Sequence, residues 1–205
     1  GSNGYCRNVR VWHNNWGGGG PCMHLHPTVG PVLMFRNQVG GGGFFKLQFG
    51  RTNGIQYYNN SHDLGWSRVG GLKRTTGKLD LRNNVWKGGV CQLGTLSRET
   101  QVDYNGWQKP QKEQAWQYKT PSGTGKFDTA HALSEAIGWC QRAVVVDDLG
   151  QALQGRFGPQ LSEGSAFIDG GVHLPNITDN YKGDAPDIGM VESGDEMPPY
   201  GPRKQ

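Results

Sequence analysis

The 205-residue chain lacks several features that would assign it to a common class of protein. No apolar run approaches the roughly 18–20 residues of a membrane-spanning helix, so we expect no membrane span. The glycines do not recur at every third position, which excludes a collagen-like triple helix. There is no basic tail, and a formal charge of +4 does not demand nucleic acid as a partner, so we expect none.

Cysteine is also scarce. The four residues Cys6, Cys22, Cys91 and Cys140 contain no Cys-x-x-Cys pair and fit neither a metal site nor a dense disulfide framework. Cys6 and Cys22 are candidates for a disulfide in an oxidising compartment, and four buried thiols are the equal alternative.

Glycine and aromatic residues are abundant instead. The sequence contains 34 Gly, over twice the average usage, together with seven Trp, seven Tyr and seven Phe. So many aromatic residues argue against a disordered linker. Because few runs have a helical pattern, we expect a turn-rich, mostly β protein.

Asparagine marks an internal repeat in the first half of the chain. It recurs at positions 14, 37, 59, 83 and 105, which are 23, 22, 24 and 22 residues apart. A short strand with alternating apolar residues precedes each Asn, and a glycine-rich turn often follows it. A leucine-rich repeat has units of similar length but requires a Leu-x-x-Leu-x-Leu pattern, which is absent. The sequence therefore predicts an all-β fold, a parallel β-helix whose coils of about 22 residues stack about 4.8 Å apart.

In such a stack the recurring Asn would have a structural role. At equivalent inward bends each amide can bond the amide of the next coil and satisfy bent backbone groups. The expected ladder comprises Asn14, Asn37, Asn59, Asn83 and Asn105. Asn105 fits this register less well, because Val102 and Tyr104 shift its apolar phase by one residue.

The residue before each of these Asn would lie in one exposed column of cations and aromatic rings. The column comprises His13, Arg36, Tyr58, Arg82 and Tyr104. Arginine forks carboxylates and tyrosine stacks on rings, so the column predicts a groove for an acidic polysaccharide. The preceding strand adds further candidates, namely His24, His26, Lys46 and Gln48. Since His24 and Lys46 each precede an Asn by the same interval, we expect them to be neighbours.

A polysaccharide lyase needs a base for the C5 proton of a uronate and a cation that neutralises its carboxylate. The candidates are His24, His26 and Lys46 for the base and Arg36 and Arg82 for neutralisation. A solvated face without catalysis is the alternative, so enzymatic activity remains open. Hydrolysis is less favoured, because only Asp80 and Asp103 qualify loosely as paired acids.

Metal binding is not predicted. His24 and His26 lie two residues apart on a strand, but no third ligand is obvious; His13, or His62 with Asp63, are the alternatives for it. A calcium site is the alternative use of four acidic residues near the C-terminus, which are Asp179, Asp184, Asp187 and Glu192. Acidic residues in turns more commonly accept hydrogen bonds from the backbone, so we expect turns and no cofactor.

The C-terminal segment has a distinct pattern. It contains Ser165–Gly171 (SAFIDGG), Ala185–Glu192 (APDIGMVE) and Tyr200–Arg203 (YGPR). This pattern resembles the closing segment of secreted bacterial right-handed parallel β-helix proteins of the pectate-lyase-like superfamily. The resemblance implies a right-handed β-helix, secretion, and binding or β-elimination of an acidic polysaccharide. Met190 and Val191 depart from the small-plus-aromatic pair that usually precedes the final Glu of that pattern.

The chain is expected to have three parts. Residues 1–108 would form the coils, 109–160 a lateral loop with a short helix and a strand, and 161–205 the closing segment and tail. Within the middle part we expect a loop over Lys109–Gly125, a helix over Asp128–Cys140 and a strand over Ala143–Val146.

The first coil would need a cover over its open edge. Gly1–Arg7 are too few to provide it, so we expect Val9, Val11 and Trp12 to contact another polypeptide. This gives the alternative function, a non-catalytic structural protein that forms filaments or multimers through its open coil end.

Overall fold

The computed structural model describes residues 8–16, 21–25, 31–40, 44–47, 54–63, 66–69, 79–87, 91–95, 101–108, 116–120, 123–126, 142–147, 153–154 and 160–197. Within these ranges the chain forms β-strands and no helix, so none of the described residues belongs to a helix that could cross a membrane. The strands are β1 (Val9–Trp12), β2 (Asn15–Trp16), β3 (Pro21–Leu25), β4 (Val32–Phe35), β5 (Gln38–Gly40), β6 (Phe44–Leu47), β7 (Ile55–Tyr58), β8 (Ser61–Asp63), β9 (Trp66–Val69), β10 (Leu79–Arg82), β11 (Val85–Lys87), β12 (Cys91–Thr95), β13 (Gln101–Asp103), β14 (Asn105–Gln108), β15 (Trp116–Thr120), β16 (Gly123–Lys126), β17 (Ala143–Val146), β18 (Leu153–Gln154) and β19 (Gln160–Leu161).

From β1 to β15, consecutive strands belong to three different sheets, and each sheet takes every third strand. Sheet 1 has the order β1-β4-β7-β10-β13, sheet 2 the order β2-β5-β8-β11-β14-β17, and sheet 3 the order β3-β6-β9-β12-β15-β16. All neighbours in these sheets are parallel except β15 and β16, which are antiparallel. Five successive units of three strands, β1–β3 to β13–β15, therefore repeat one pattern of pairing. The predicted all-β class is confirmed for the described residues.

The strands of sheet 1 alternate between an inner and an outer face. In β4, Val32 and Met34 are fully buried, whereas Leu33 and Phe35 are half-buried. The register places Met34 beside Tyr57 and Tyr57 beside Leu81, so that buried residues form a continuous column. Each fully buried side chain of this size stabilises the fold by about 1.5–3 kcal/mol.

The buried side chains of sheet 2 form an aromatic stack. The His62 and Trp86 rings stack in nearly parallel planes with centres 4.1 Å apart, and Trp107 continues the stack 5.6 Å beyond Trp86. The Tyr57 hydroxyl lies 2.6 Å from Nε2 of His62. Burial lowers the pKa of His62 to about 3, so this imidazole is neutral at physiological pH.

The C-terminal segment, residues 160–197, packs against the opposite face of sheet 2. Val85 forms a buried cluster with Leu161, Phe167 and Ile188 of the segment. Gly106 permits the close approach, because a Cβ there would lie 2.7 Å from the Phe167 ring. The closing segment therefore completes the apolar core on this side of the sheet.

Two expectations for the middle part have different outcomes. The strand over Ala143–Val146 is confirmed as β17. The loop predicted over Lys109–Gly125 is wrong, because β15 and β16 form an antiparallel pair there and β15 continues sheet 3 beside β12. The alternation of Trp116, Tyr118 and Thr120 with polar residues is the strand signal in this stretch. The helix expected over Asp128–Cys140 lies outside the described residues.

Candidate functional site

A tight bend with two defining positions joins the first strand of each unit to the second; in the fifth unit the second of these positions, Asn105, is already the first residue of β14. The first bend residue has a left-handed backbone, with φ of 50° at His13, 51° at Arg36, 49° at Asn59, 56° at Asn83 and 51° at Tyr104. The second residue is an Asn in every unit. Because Asn adopts positive φ more readily than most residues, Asn59 and Asn83 suit the first bend position of units 3 and 4.

A continuous ladder of amides runs through the second bend position. Its members are Asn14, Asn37, Asn60, Asn84 and Asn105. Each amide Nδ2 donates to the Oδ1 of the next member over 2.8–3.1 Å. The same Oδ1 also accepts the preceding backbone N–H, as Asn60 does from Asn37 at 3.0 Å. The register partner of Asn105 is Ala143, a residue type without a side-chain amide, so the ladder ends at Asn105.

The expected ladder needs a correction at two positions. Asn59 and Asn83 occupy the first bend position, while the ladder amides belong to Asn60 and Asn84. The phase of the buried residues carries the signal that distinguishes them. Each ladder Asn lies three residues after the last inward residue of sheet 1, which is Val11, Met34, Tyr57, Leu81 or Val102. This spacing also removes the apparent phase shift at Asn105.

The predicted exposed column is divided between two places. Tyr58 and Arg82 are register partners at the ends of β7 and β10, on the outer face of sheet 1. His13, Arg36 and Tyr104 are first bend residues instead. The single column His13–Arg36–Tyr58–Arg82–Tyr104 was therefore wrong, because one register step separates its two subsets.

The outer face of sheet 1 carries two columns of register-paired side chains. One column is Arg10, Leu33, Gln56, Asp80 and Gln101. The other is Trp12, Phe35, Tyr58, Arg82 and Asp103. Trp12 is 46% exposed and stacks on Phe35 with ring centres 5.9 Å apart. His13 contacts the edge of the same Phe35 ring at 6.4 Å.

Tyr58, Asp80 and Arg82 form a closed polar cluster on this face. The Tyr58 hydroxyl donates to Oδ2 of Asp80 at 2.8 Å, and Nε of Arg82 donates to Oδ1 of Asp80 at 2.6 Å. Arg82 also pairs with Asp80 through Nη2 and lies 5.7 Å above the Tyr58 ring. The hydrogen bond to Asp80 raises the pKa of Arg82. Burial, followed by the Asp80 charge, raises the pKa of Tyr58 far above its usual value, so both groups stay protonated.

Arg36 and two Asn of the first bend position hold the C-terminal segment. Nη2 of Arg36 donates to the Ile177 carbonyl at 3.3 Å. Asn59 donates to the Asp187 and Gly189 carbonyls at 3.2 and 3.0 Å. Asn83 exchanges two hydrogen bonds with the Val172 backbone, at 2.8 and 2.9 Å. Arg36 is thus engaged with the closing segment, whereas Arg82 is engaged with Asp80.

The candidate bases lie in another sheet. His24 of β3 and Lys46 of β6 are register partners, as their equal spacing from an Asn predicts. Both belong to sheet 3, whereas Tyr58 and Arg82 belong to sheet 1. His26 and Gln48 lie outside the described residues.

The acidic residues near the C-terminus accept backbone hydrogen bonds. Asp187 accepts from Asp169 and Ser193 at 2.8 and 2.5 Å, Glu192 accepts from Asp187 at 3.2 Å, and Asp179 accepts from Asn176 at 2.9 Å. Burial raises the pKa of Glu192 to about 7. Among the described residues, no three His, Cys, Asp or Glu side chains are placed to hold a metal ion. These carboxylates organise turns, which is the role that the glycine-rich sequence around them predicts.

No protein-family model, no curated protein and no solved structure matches this chain. The outer face of sheet 1 presents an exposed indole, an exposed guanidinium and an exposed amide, on Trp12, Arg10 and Gln56. Such groups recognise hydroxyls, carboxylates and ring edges without a reactive centre.

Proposed function

We propose that the chain is a secreted right-handed parallel β-helix of the pectate-lyase-like kind that binds an acidic polysaccharide. The repeated pairing of every third strand supports the β-helix, since it returns the chain to the neighbouring position after each unit. Right-handedness follows from the strong preference of parallel crossover connections for that hand. The Ser165–Gly171 and Ala185–Glu192 patterns support the family assignment and, with it, secretion.

The outer face of sheet 1 is the binding surface in this proposal. The observation that carries it is the register column in which Arg10 and Gln56 flank Leu33, beside the exposed Trp12. A polymer that lies across the strands meets one side chain of a column about every 4.8 Å. Arg10 and Gln56 are two such steps apart, about 9.6 Å, so the guanidinium can bond a carboxylate while the amide bonds a hydroxyl further along the polymer.

The geometry supports binding better than cleavage. β-Elimination requires a deprotonated base beside the neutralising cation. On sheet 1 Tyr58 and Arg82 are held protonated, and the candidate bases His24 and Lys46 belong to sheet 3. We therefore assign this face a role in recognition, without a chemical step.

Affinity electrophoresis tests this function. The native chain is run through gels that contain pectate, alginate or neutral dextran. We expect retardation by an acidic polymer, none by dextran, and no ultraviolet absorbance from unsaturated uronate products. Passage through all gels without retardation would contradict binding. Large multimers without retardation would favour the alternative, assembly through the first unit, where Trp12 is exposed and Val9 and Val11 are half-buried.

A further inference from the structure

We propose that a groove on sheet 1 binds one carboxylated sugar unit, with Arg10 holding its carboxylate. This inference rests on the proposed function and assigns it a particular subsite. The groove has a volume of about 450 Å³ and is lined by Asn8, Val9, Arg10, Pro31, Leu33 and Gln56. Its volume falls within the range of about 300–1,000 Å³ that is typical of small-molecule sites.

The topology explains why these residues meet. Arg10, Leu33 and Gln56 are successive members of one outer column, on β1, β4 and β7. Pro31 immediately precedes β4, and its segment is held by the hydrogen bond from the Val32 amide to the Gly54 carbonyl at 2.9 Å. The groove is thus built on paired strands, which hold its side chains at fixed spacing.

The groove combines the two kinds of surface that a sugar ring requires. Pro31 and Leu33 provide an apolar floor for the C–H groups of the ring. Asn8 and Gln56 provide amides that donate to and accept from hydroxyls, and the Gln56 side chain is exposed. A single guanidinium beside such a floor can hold a carboxylate through two parallel hydrogen bonds.

The charge of the groove selects an acid. Arg10 is exposed and is the only charged residue among the described residues that line the groove. The next acid in the same column, Asp80, is 4% exposed and is neutralised by Arg82. Within the described part of the groove no acid balances the Arg10 charge, and a carboxylate is the complementary ligand.

The test compares two isosteric substitutions in one column. Gln56→Glu adds a negative charge inside the groove, whereas Gln101→Glu adds the same charge at an exposed position two strands away. Arg10→Gln removes the proposed carboxylate ligand, and Lys182→Gln removes an equal charge from the exposed C-terminal segment. Binding is measured by titration calorimetry with hexamers of galacturonate and of mannuronate, and with carboxyl-reduced hexamers.

We expect the native chain to bind an acidic hexamer and not its carboxyl-reduced form. Arg10→Gln and Gln56→Glu should weaken binding by about 10-fold or more, and the two control variants by about threefold or less. If both groove variants bind as the native chain does, the subsite is wrong and the proposed function stands. If the native chain binds none of the acidic hexamers, both proposals fail. Equal binding of the carboxyl-reduced hexamer would overturn the role of Arg10.

Discussion

Replacing Asn60 with Ala would interrupt the amide ladder at its centre. The Asn60 side chain is fully buried, and its Oδ1 accepts two hydrogen bonds from Asn37, at 3.0 and 2.8 Å. Its Nδ2 donates to Oδ1 of Asn84 and to the carbonyls of Tyr58 and Met34. The substitution leaves the backbone N–H of Asn37 and two carbonyl oxygens without these partners.

The expected loss is large for a single polar side chain. Each buried group left unsatisfied costs about 1–3 kcal/mol, and part of that cost is relieved where a second bond survives. For example, the side-chain Nδ2 of Asn37 keeps its hydrogen bond to the Val11 carbonyl at 3.0 Å. We therefore expect Asn60→Ala to lower the free energy of unfolding by about 3–5 kcal/mol, a large share of the 5–15 kcal/mol usual for a domain.

Asn14→Ala provides the matched control, because it removes the same side chain from the first member of the ladder. Asn14 is only partly buried, and its amide donates to Oδ1 of Asn37 and to the Trp12 carbonyl. Its loss should cost about 1 kcal/mol. Urea unfolding followed by tryptophan fluorescence measures both variants. Equal and small losses at the two positions would refute the ladder as a source of stability.

Three further predictions concern the closing segment and the polar cluster. Burial raises the pKa of Glu192 from 4.5 to about 7, so the folded state keeps this carboxyl protonated at pH values where the unfolded state has lost the proton. The native chain therefore loses stability as pH rises from about 4.5 through about 7. Glu192→Gln carries no titrating group, so its free energy of unfolding should rise relative to that of the native chain by about 1–2 kcal/mol between about pH 5 and pH 8. Urea denaturation measures both proteins, and a difference between them that does not change with pH would contradict this prediction. Asn59→Gly keeps the positive φ but removes two hydrogen bonds, so hydrogen exchange at residues 187–190 should accelerate, whereas unchanged exchange would argue against this attachment. A double-mutant cycle of Asp80→Asn and Arg82→Gln should give a coupling of about 1–2 kcal/mol, and a coupling near zero would show that the ion pair contributes nothing.

Local sequence patterns were sufficient for the repeat and for the strands of sheet 1, but not for β15 and β16, where a loop was expected. The alternation in Val32–Phe35 and Ile55–Tyr58 predicts half-buried strands, which β4 and β7 are. The recurrence of Asn predicts a stacked bend. The error at Asn59 and Asn83 arose because two adjacent Asn occupy one bend, and composition alone does not say which of them faces inward. The phase of the inward residues decides it, since side chains on a strand alternate between the faces.

The surroundings of the site could not be predicted in the same way. Asn59 bonds the Asp187 carbonyl 128 residues away, and Arg36 bonds the Ile177 carbonyl 141 residues away. No local period encodes such contacts. Arg36 was expected as an exposed ligand from its position beside a repeated Asn, but a distant segment engages it. Arg10 belongs to no repeated Asn motif and is exposed.

The map of amide chemical-shift changes on titration of the 15N-labelled chain with hexagalacturonate tests sheet 1 as the binding face most directly. The proposal predicts changes concentrated in β1, β4 and β7, around residues 8–12, 31–35 and 55–58. It predicts much smaller changes in β6 and β9 of sheet 3. Changes concentrated in sheet 3, where His24 and Lys46 lie, would contradict the assignment of the binding face to sheet 1.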